Sequence, residues 1–114
     1  MYHLILLPYF HRQLKPYIKK HPGLREAIIN IIEHFDKRQH DDLGNGVYKV
    51  RLSTKTLQRG KSKSFRLIIL LIEVKSMIVP ITIYFKGDTA TITKREINHQ
   101  LAQILFELKI SRQL

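Results

Sequence analysis

Between residues 43 and 72 the chain carries seven cations, Lys49, Arg51, Lys55, Arg59, Lys61, Lys63 and Arg66, and neither Asp nor Glu. Three of them fall where the pattern has a strand period. Over residues 47–53, strict alternation puts Lys49 and Arg51 on one face and Tyr48, Val50 and Leu52 on the other. Residues 64–72 are apolar enough for burial on both faces, and Arg66 is the one cation inside them. A guanidinium left unpaired in a core is very costly, so Arg66 is expected at a sheet edge, near water or near a phosphate. The chemistry open to such a set is electrostatic: a planar guanidinium grips two phosphate oxygens at once, and neighbouring cations add to it. The partner this implies is a polyanion.

The elements that must hold these residues follow from the rest of the pattern. Residues 2–7 read as a short first strand, and Pro8 is placed to open a helix running toward Lys20. Phe10, Leu14, Tyr17 and Ile18 share one face of that helix, while Pro16 threatens a kink or break after Lys15. After the His21-Pro22-Gly23 turn, Leu24, Ala27, Ile28, Ile31, Ile32 and Phe35 form one apolar stripe, so two helices make a hairpin on one face of a sheet. Residues 41–46 read as a polar connection with an Asn45-Gly46 turn ahead of the Tyr48 strand. A cationic loop over residues 54–64 leads into a strand at 65–74, which turns at Lys75-Ser76 into a last strand at 77–86. There Pro80 asks for an edge position or a bulge, and Thr82, Tyr84 and Lys86 share a face. Thr93 and Glu96 have the spacing of a capping box, Ile92 and Ile97 that of a hydrophobic staple, and Ile97, Leu101, Ile104, Leu105 and Leu108 line the helix that follows. The predicted order is strand, helix, helix, three strands, helix: an α+β fold in a single domain over residues 1–114.

Composition narrows the function. A hydrophobic share of 44% with 25% charged residues is ordinary for a folded soluble protein. The formal net charge of +11 is unevenly spread: residues 1–46 hold 7 cations and 5 acids, residues 47–114 hold 13 and 4. This asymmetry favours nucleic acid, an anionic surface or an acidic protein as partner. Without cysteine there is no disulfide, thiolate nucleophile or cysteine metal site. The opening apolar run is short, lacks a basic leader and ends at Pro8, and residues 67–72 fall far below a bilayer span, so a cytoplasmic protein without membrane contact is expected. His3, His11, His21, His34, His40 and His99 show no paired metal spacing, and no phosphate-cradling glycine loop, serine triad or paired-carboxylate site is apparent. Neither a metal nor a small-molecule cofactor is expected.

The order of elements, the Tyr48-Lys-Val-Arg-Leu52 strand, the basic Arg59-Gly-Lys-Ser-Lys-Ser64 segment leading into Phe65-Arg-Leu-Ile68, and Ile83-Tyr-Phe-Lys86 followed by Thr93-Lys-Arg-Glu96 together resemble the RelE/ParE superfamily of small toxins, its RelE and HigB branches above all. The resemblance implies a twisted, mainly antiparallel four-stranded sheet with an N-terminal helical hairpin and a C-terminal helix. It implies the toxin of a type II toxin–antitoxin system, a ribosome-dependent mRNA endonuclease cutting in the A site, and a cognate antitoxin as partner. Matched by position, Lys49 and Arg51 fall on the family's catalytic basic residues, Arg66 on the arginine that holds the scissile phosphate, and Lys86 near the basic residue after the last strand. The catalytic tyrosine or histidine that some relatives carry near the C-terminus has no equivalent here.

Metal-independent RNA cleavage needs the 2′-hydroxyl deprotonated, the phosphate charge stabilised and the leaving oxygen protonated. Arg66 suits the second task, with Lys49 and Arg51 adding to it. Lys49 is also a candidate base, because crowding by other cations favours a neutral lysine. Lys55, Arg59, Lys61 and Lys63 suit electrostatic steering of RNA, and Tyr84 suits stacking on a base. His99 is a candidate to approach the basic face, and Asp41, Asp42 and Asp88 read as loop and turn residues. The blander reading makes Lys49 and Arg51 a solvated sheet face and Tyr84 a half-buried sheet tyrosine. Two other functions compete: a ParE-like inhibitor of DNA gyrase, which generally lacks the Lys49, Arg51, Arg66 and Lys86 cluster, and a non-catalytic nucleic-acid-binding module.

Overall fold

The computed structural model describes residues 2–52, 65–87 and 92–112. The chain forms strand β1 (His3–Leu4), helices α1 (Pro8–Lys20) and α2 (Leu24–Glu33), strands β2 (Asp41–Gly44), β3 (Val47–Leu52), β4 (Phe65–Ile72) and β5 (Met77–Phe85), and helix α3 (Lys94–Ile110). The sheet order is β1-β5-β4-β3-β2, antiparallel except where β1 runs parallel to β5. Five strands therefore stand where four are expected. The extra one is β2, which the sequence disguises as the polar connection at residues 41–46. Its Asp-Asp-Leu-Gly has no apolar alternation because it is an exposed edge strand. At the other edge only His3 and Leu4 of the expected residues 2–7 pair with the sheet.

The turn chemistry holds. Asn45 and Gly46 both take positive φ, 55° and 82°, in the two-residue turn that joins β2 to β3. Gly46 is required twice over, since a Cβ there would meet the Leu71 carbonyl oxygen at 2.9 Å. Pro80 lies beside a bulge: Ile68 pairs with Thr82 and Ile69 with Pro80, so β5 holds one unmatched residue. Pro16 neither kinks nor breaks α1, which runs on to Lys20. The proline is on the exposed side, where the carbonyl it cannot bond faces water.

Helices cover the two faces of the sheet differently. On one face α1 and α2 bury Phe10, Leu14, Leu24, Ile28 and Ile32 against Tyr48, Val50, Phe65, Leu67 and Ile69. Tyr17 meets Phe65 edge-on at 4.9 Å between ring centroids. Val47 alternates onto the other face, that of Lys49 and Arg51, and shares a cleft with Ile97 and Leu101 of α3. The capping box starts α3 as expected: Thr93 Oγ1 accepts the Glu96 amide and Glu96 reaches back to Thr93. Farther along, the Glu107 carboxylate accepts the Tyr9 amide at 3.0 Å, tying α3 to the start of α1. Ile97, Ile104 and Leu108 are buried, whereas Leu105 turns outward.

Candidate functional site

Cross-strand register lays out the part of the second face that α3 leaves open. Residues directly opposite in an antiparallel ladder point the same way. One row reads Asp41, Lys49, Ile68, Thr82 across β2, β3, β4 and β5; the next reads Arg51, Arg66, Tyr84 across β3, β4 and β5. Lys86 follows just beyond the end of β5. Lys49, Arg51, Arg66 and Lys86, expected to act together, line one cleft of about 370 Å³, joined there by Gln39, His40 and Asp41.

Arg66 is not at a sheet edge. Its strand β4 is the middle one of five, and the residue is 5% exposed. It reaches the cleft because it is only the second residue of β4, where the sheet is ending. Burial holds its guanidinium below the usual arginine range. Arg51, directly opposite, pushes the same way, while Tyr84 and Asp41 pull back. Two arginines in register on adjacent strands repel each other unless an anion lies between them.

The lining carboxylate is Asp41, whose Oδ2 is 3.9 Å from the Lys49 ammonium. Asp42, next to it, is engaged elsewhere: its carboxylate accepts the Gly44 amide at 2.8 Å in the bulged end of β2. Tyr84, an expected base-stacking residue, is buried in the Arg66 row. Burial raises its hydroxyl above the ordinary tyrosine value, against the Arg66 charge and the Ile92 backbone hydrogen bond. His99 lies apart, lining a separate cleft with Tyr9 and Glu96. The histidine beside the cations is His40. Its ring stacks on Phe35 at 5.0 Å, and Phe35 packs edge-on against Tyr48 on the helix-covered face. Burial lowers the His40 imidazole below its ordinary value, with the Asp36 and Asp41 carboxylates opposing.

Lys55, Arg59, Lys61, Lys63 and Asp88 lie outside the described residues. Asp41 and His40 escaped the sequence reading because their place depends on β2, whose composition resembles a loop. Among the described residues no three His, Asp or Glu side chains converge as a metal would require. No helix among them is long and apolar enough to cross a membrane.

A sequence model described as the RelE toxin of the RelE / RelB toxin–antitoxin system matches residues 9–113. The chain belongs to the RelE toxin family. Three solved structures share its fold. The intact E. coli RelBE toxin–antitoxin complex matches with a TM-score of 0.53 at 15% identity, over 73% of this chain and 94% of that one. A doubly arginine-to-alanine substituted E. coli RelE in the free state matches at 0.51 and 16%, over 90% and 95%. The isolated E. coli RelE toxin matches at 0.50 and 16%, over the full length of both chains. No curated protein matches the sequence. The family is that of toxins, and the α+β architecture, three helices on a mostly antiparallel sheet, is that of E. coli RelE.

Proposed function

We propose that this RelE-family chain is a metal-independent endoribonuclease that cleaves mRNA on the ribosome, in the A site, and so arrests translation, and that an acidic cognate antitoxin restrains it. The observation carrying this reading is the gathering of Lys49, Arg51, Arg66 and Lys86 into one cleft although they span nearly forty residues of sequence. A phosphodiester placed across Arg51 and Arg66 would relieve the repulsion between them. Arg66 would hold two oxygens as charge builds in the pentacoordinate transition state, with Lys49 adding to it. Lys86, on β5 at the far side, is positioned for the leaving oxygen. The ribosome supplies orientation, worth several kcal/mol of barrier. Lys55, Arg59, Lys61 and Lys63 would steer the RNA, since phosphate contacts set affinity and its dependence on salt.

The test is brief induced expression of the wild type beside Arg66→Ala, with 5′ ends of a translated reporter mRNA mapped within minutes. New in-frame cuts from the wild type alone support the reading. Growth arrest with the message intact would overturn it and turn attention to DNA gyrase.

A further inference from the structure

RNA transesterification needs a proton acceptor beside the 2′-hydroxyl, and the cleft is built mostly of groups that cannot supply one. Arginine does not give up its proton at physiological pH, the amide of Gln39 is not basic, and Lys49 is committed to an ion pair. Two lining residues remain, His40 and Asp41. His40 precedes Asp41 in extended backbone, so its side chain leaves the sheet on the opposite side, where the ring is stacked on Phe35. Asp41 faces inward with Lys49.

Resting on the endonuclease reading above, we propose that Asp41 is the general base. Strand order supplies the geometry: Asp41 is on β2, Arg51 and Arg66 are on β3 and β4, and Lys86 is at the end of β5. Base and acid thus flank the two arginines that would hold the phosphate. In-line displacement demands this arrangement, because the entering and leaving oxygens stand on opposite sides of phosphorus. Three strand spacings, about 14 Å between backbones, leave room for the two side chains and a phosphodiester. The 2′-O–H proton passes to the Asp41 carboxylate as the 2′-oxygen bonds to phosphorus. The bond from phosphorus to O5′ breaks, and O5′ takes a proton from the Lys86 ammonium. The products are a 2′,3′-cyclic phosphate and a 5′-hydroxyl, and Asp41 and Lys86 then exchange protons with water. Lys49, beside Asp41, is a positioning residue that aims the carboxylate.

The experiment is single-turnover cleavage of ribosome-bound mRNA at saturating toxin by the wild type, Asp41→Asn and Asp41→Ala. The Asp41 side chain is 73% exposed, so both substitutions leave the core intact. A lost general base slows cleavage about 10²- to 10⁴-fold, with toxin binding to the ribosome unchanged. Added formate should restore the alanine variant, whereas chloride at equal ionic strength should not. Asparagine cleaving within about threefold of the wild type would overturn the assignment. So would an alanine variant that formate leaves unchanged, which would reduce Asp41 to a support for Lys49. A wild type that leaves the message whole removes the endonuclease reading itself, an outcome distinct from both.

Discussion

Replacing Arg66 by methionine should separate activity from stability in opposite directions. Arg66 stands directly opposite Arg51 and is 5% exposed, so folding brings two like charges together while withdrawing one of them from water. Like charges facing each other across strands cost roughly 0.2–1 kcal/mol. Methionine keeps much of the length and volume, carries no charge, and sits beside Ile68, which is fully buried. Buried charges replaced by apolar side chains of similar volume are often neutral or gain about 1–4 kcal/mol. With the interactions that Arg66 itself makes set against these, the net expectation is a gain of about 0–1 kcal/mol, or up to roughly 4 °C in Tm for a domain of this size. Activity should fall about 10²- to 10³-fold, the cost of removing one preorganised donor from a developing oxyanion. Scanning calorimetry and single-turnover cleavage on programmed ribosomes measure the two. A variant that melts several degrees below the wild type, or that cleaves at the wild-type rate, would refute the view that the cleft holds a cation pair for an anion at the expense of the fold.

Gly46→Ala combines a positive φ with a 2.9 Å approach to the Leu71 carbonyl, and should cost about 2 kcal/mol by urea denaturation. Thr93→Ala removes the oxygen that accepts the Glu96 amide and should cost about 1 kcal/mol in the same assay. His40 titrates below its unfolded value, so the unfolded chain binds more protons between the two. Stability should therefore rise with pH through that window and decline on acidification below about 6.5, with the imidazole midpoint followed by NMR. Lys86→Met should slow cleavage about 10²-fold or more on an ordinary substrate and far less where sulfur replaces the leaving O5′, because a thiolate departs without an acid.

What was legible in the sequence is what depends on local pattern. Alternation assigned Lys49 and Arg51 to one face and Tyr48, Val50 and Leu52 to the core, and the structure agrees on each. The apolar run around Arg66, the two-residue turn at Asn45-Gly46 and the capping box at Thr93 were equally readable, since each is set by neighbours a few positions away. The place of Arg66 was not. Its surroundings called for an outlet to water or phosphate, and an edge strand is the simplest outlet. The protein instead leaves Arg66 in the middle strand and lets the sheet end beside it.

Asp41 shows where local pattern stops. Two acids stand side by side, and nothing in their types says which one enters the cleft. A regular ladder closed by the Asn45-Gly46 turn, with Gly44 opposite Val47, would set Asp42 opposite Lys49. The observed register steps between Asp42 and Gly44, so Leu43 is the unmatched residue, Asp42 faces Tyr48, and Asp41 comes to face Lys49. Gly44 at φ 94° and the Asp42 carboxylate on the Gly44 amide accompany that step. One acid thus shapes the bulge, and the bulge delivers the other to the cleft. A single unmatched residue in an edge strand decides which carboxylate lies among the cations, which is why a segment with the composition of a loop carries part of the site.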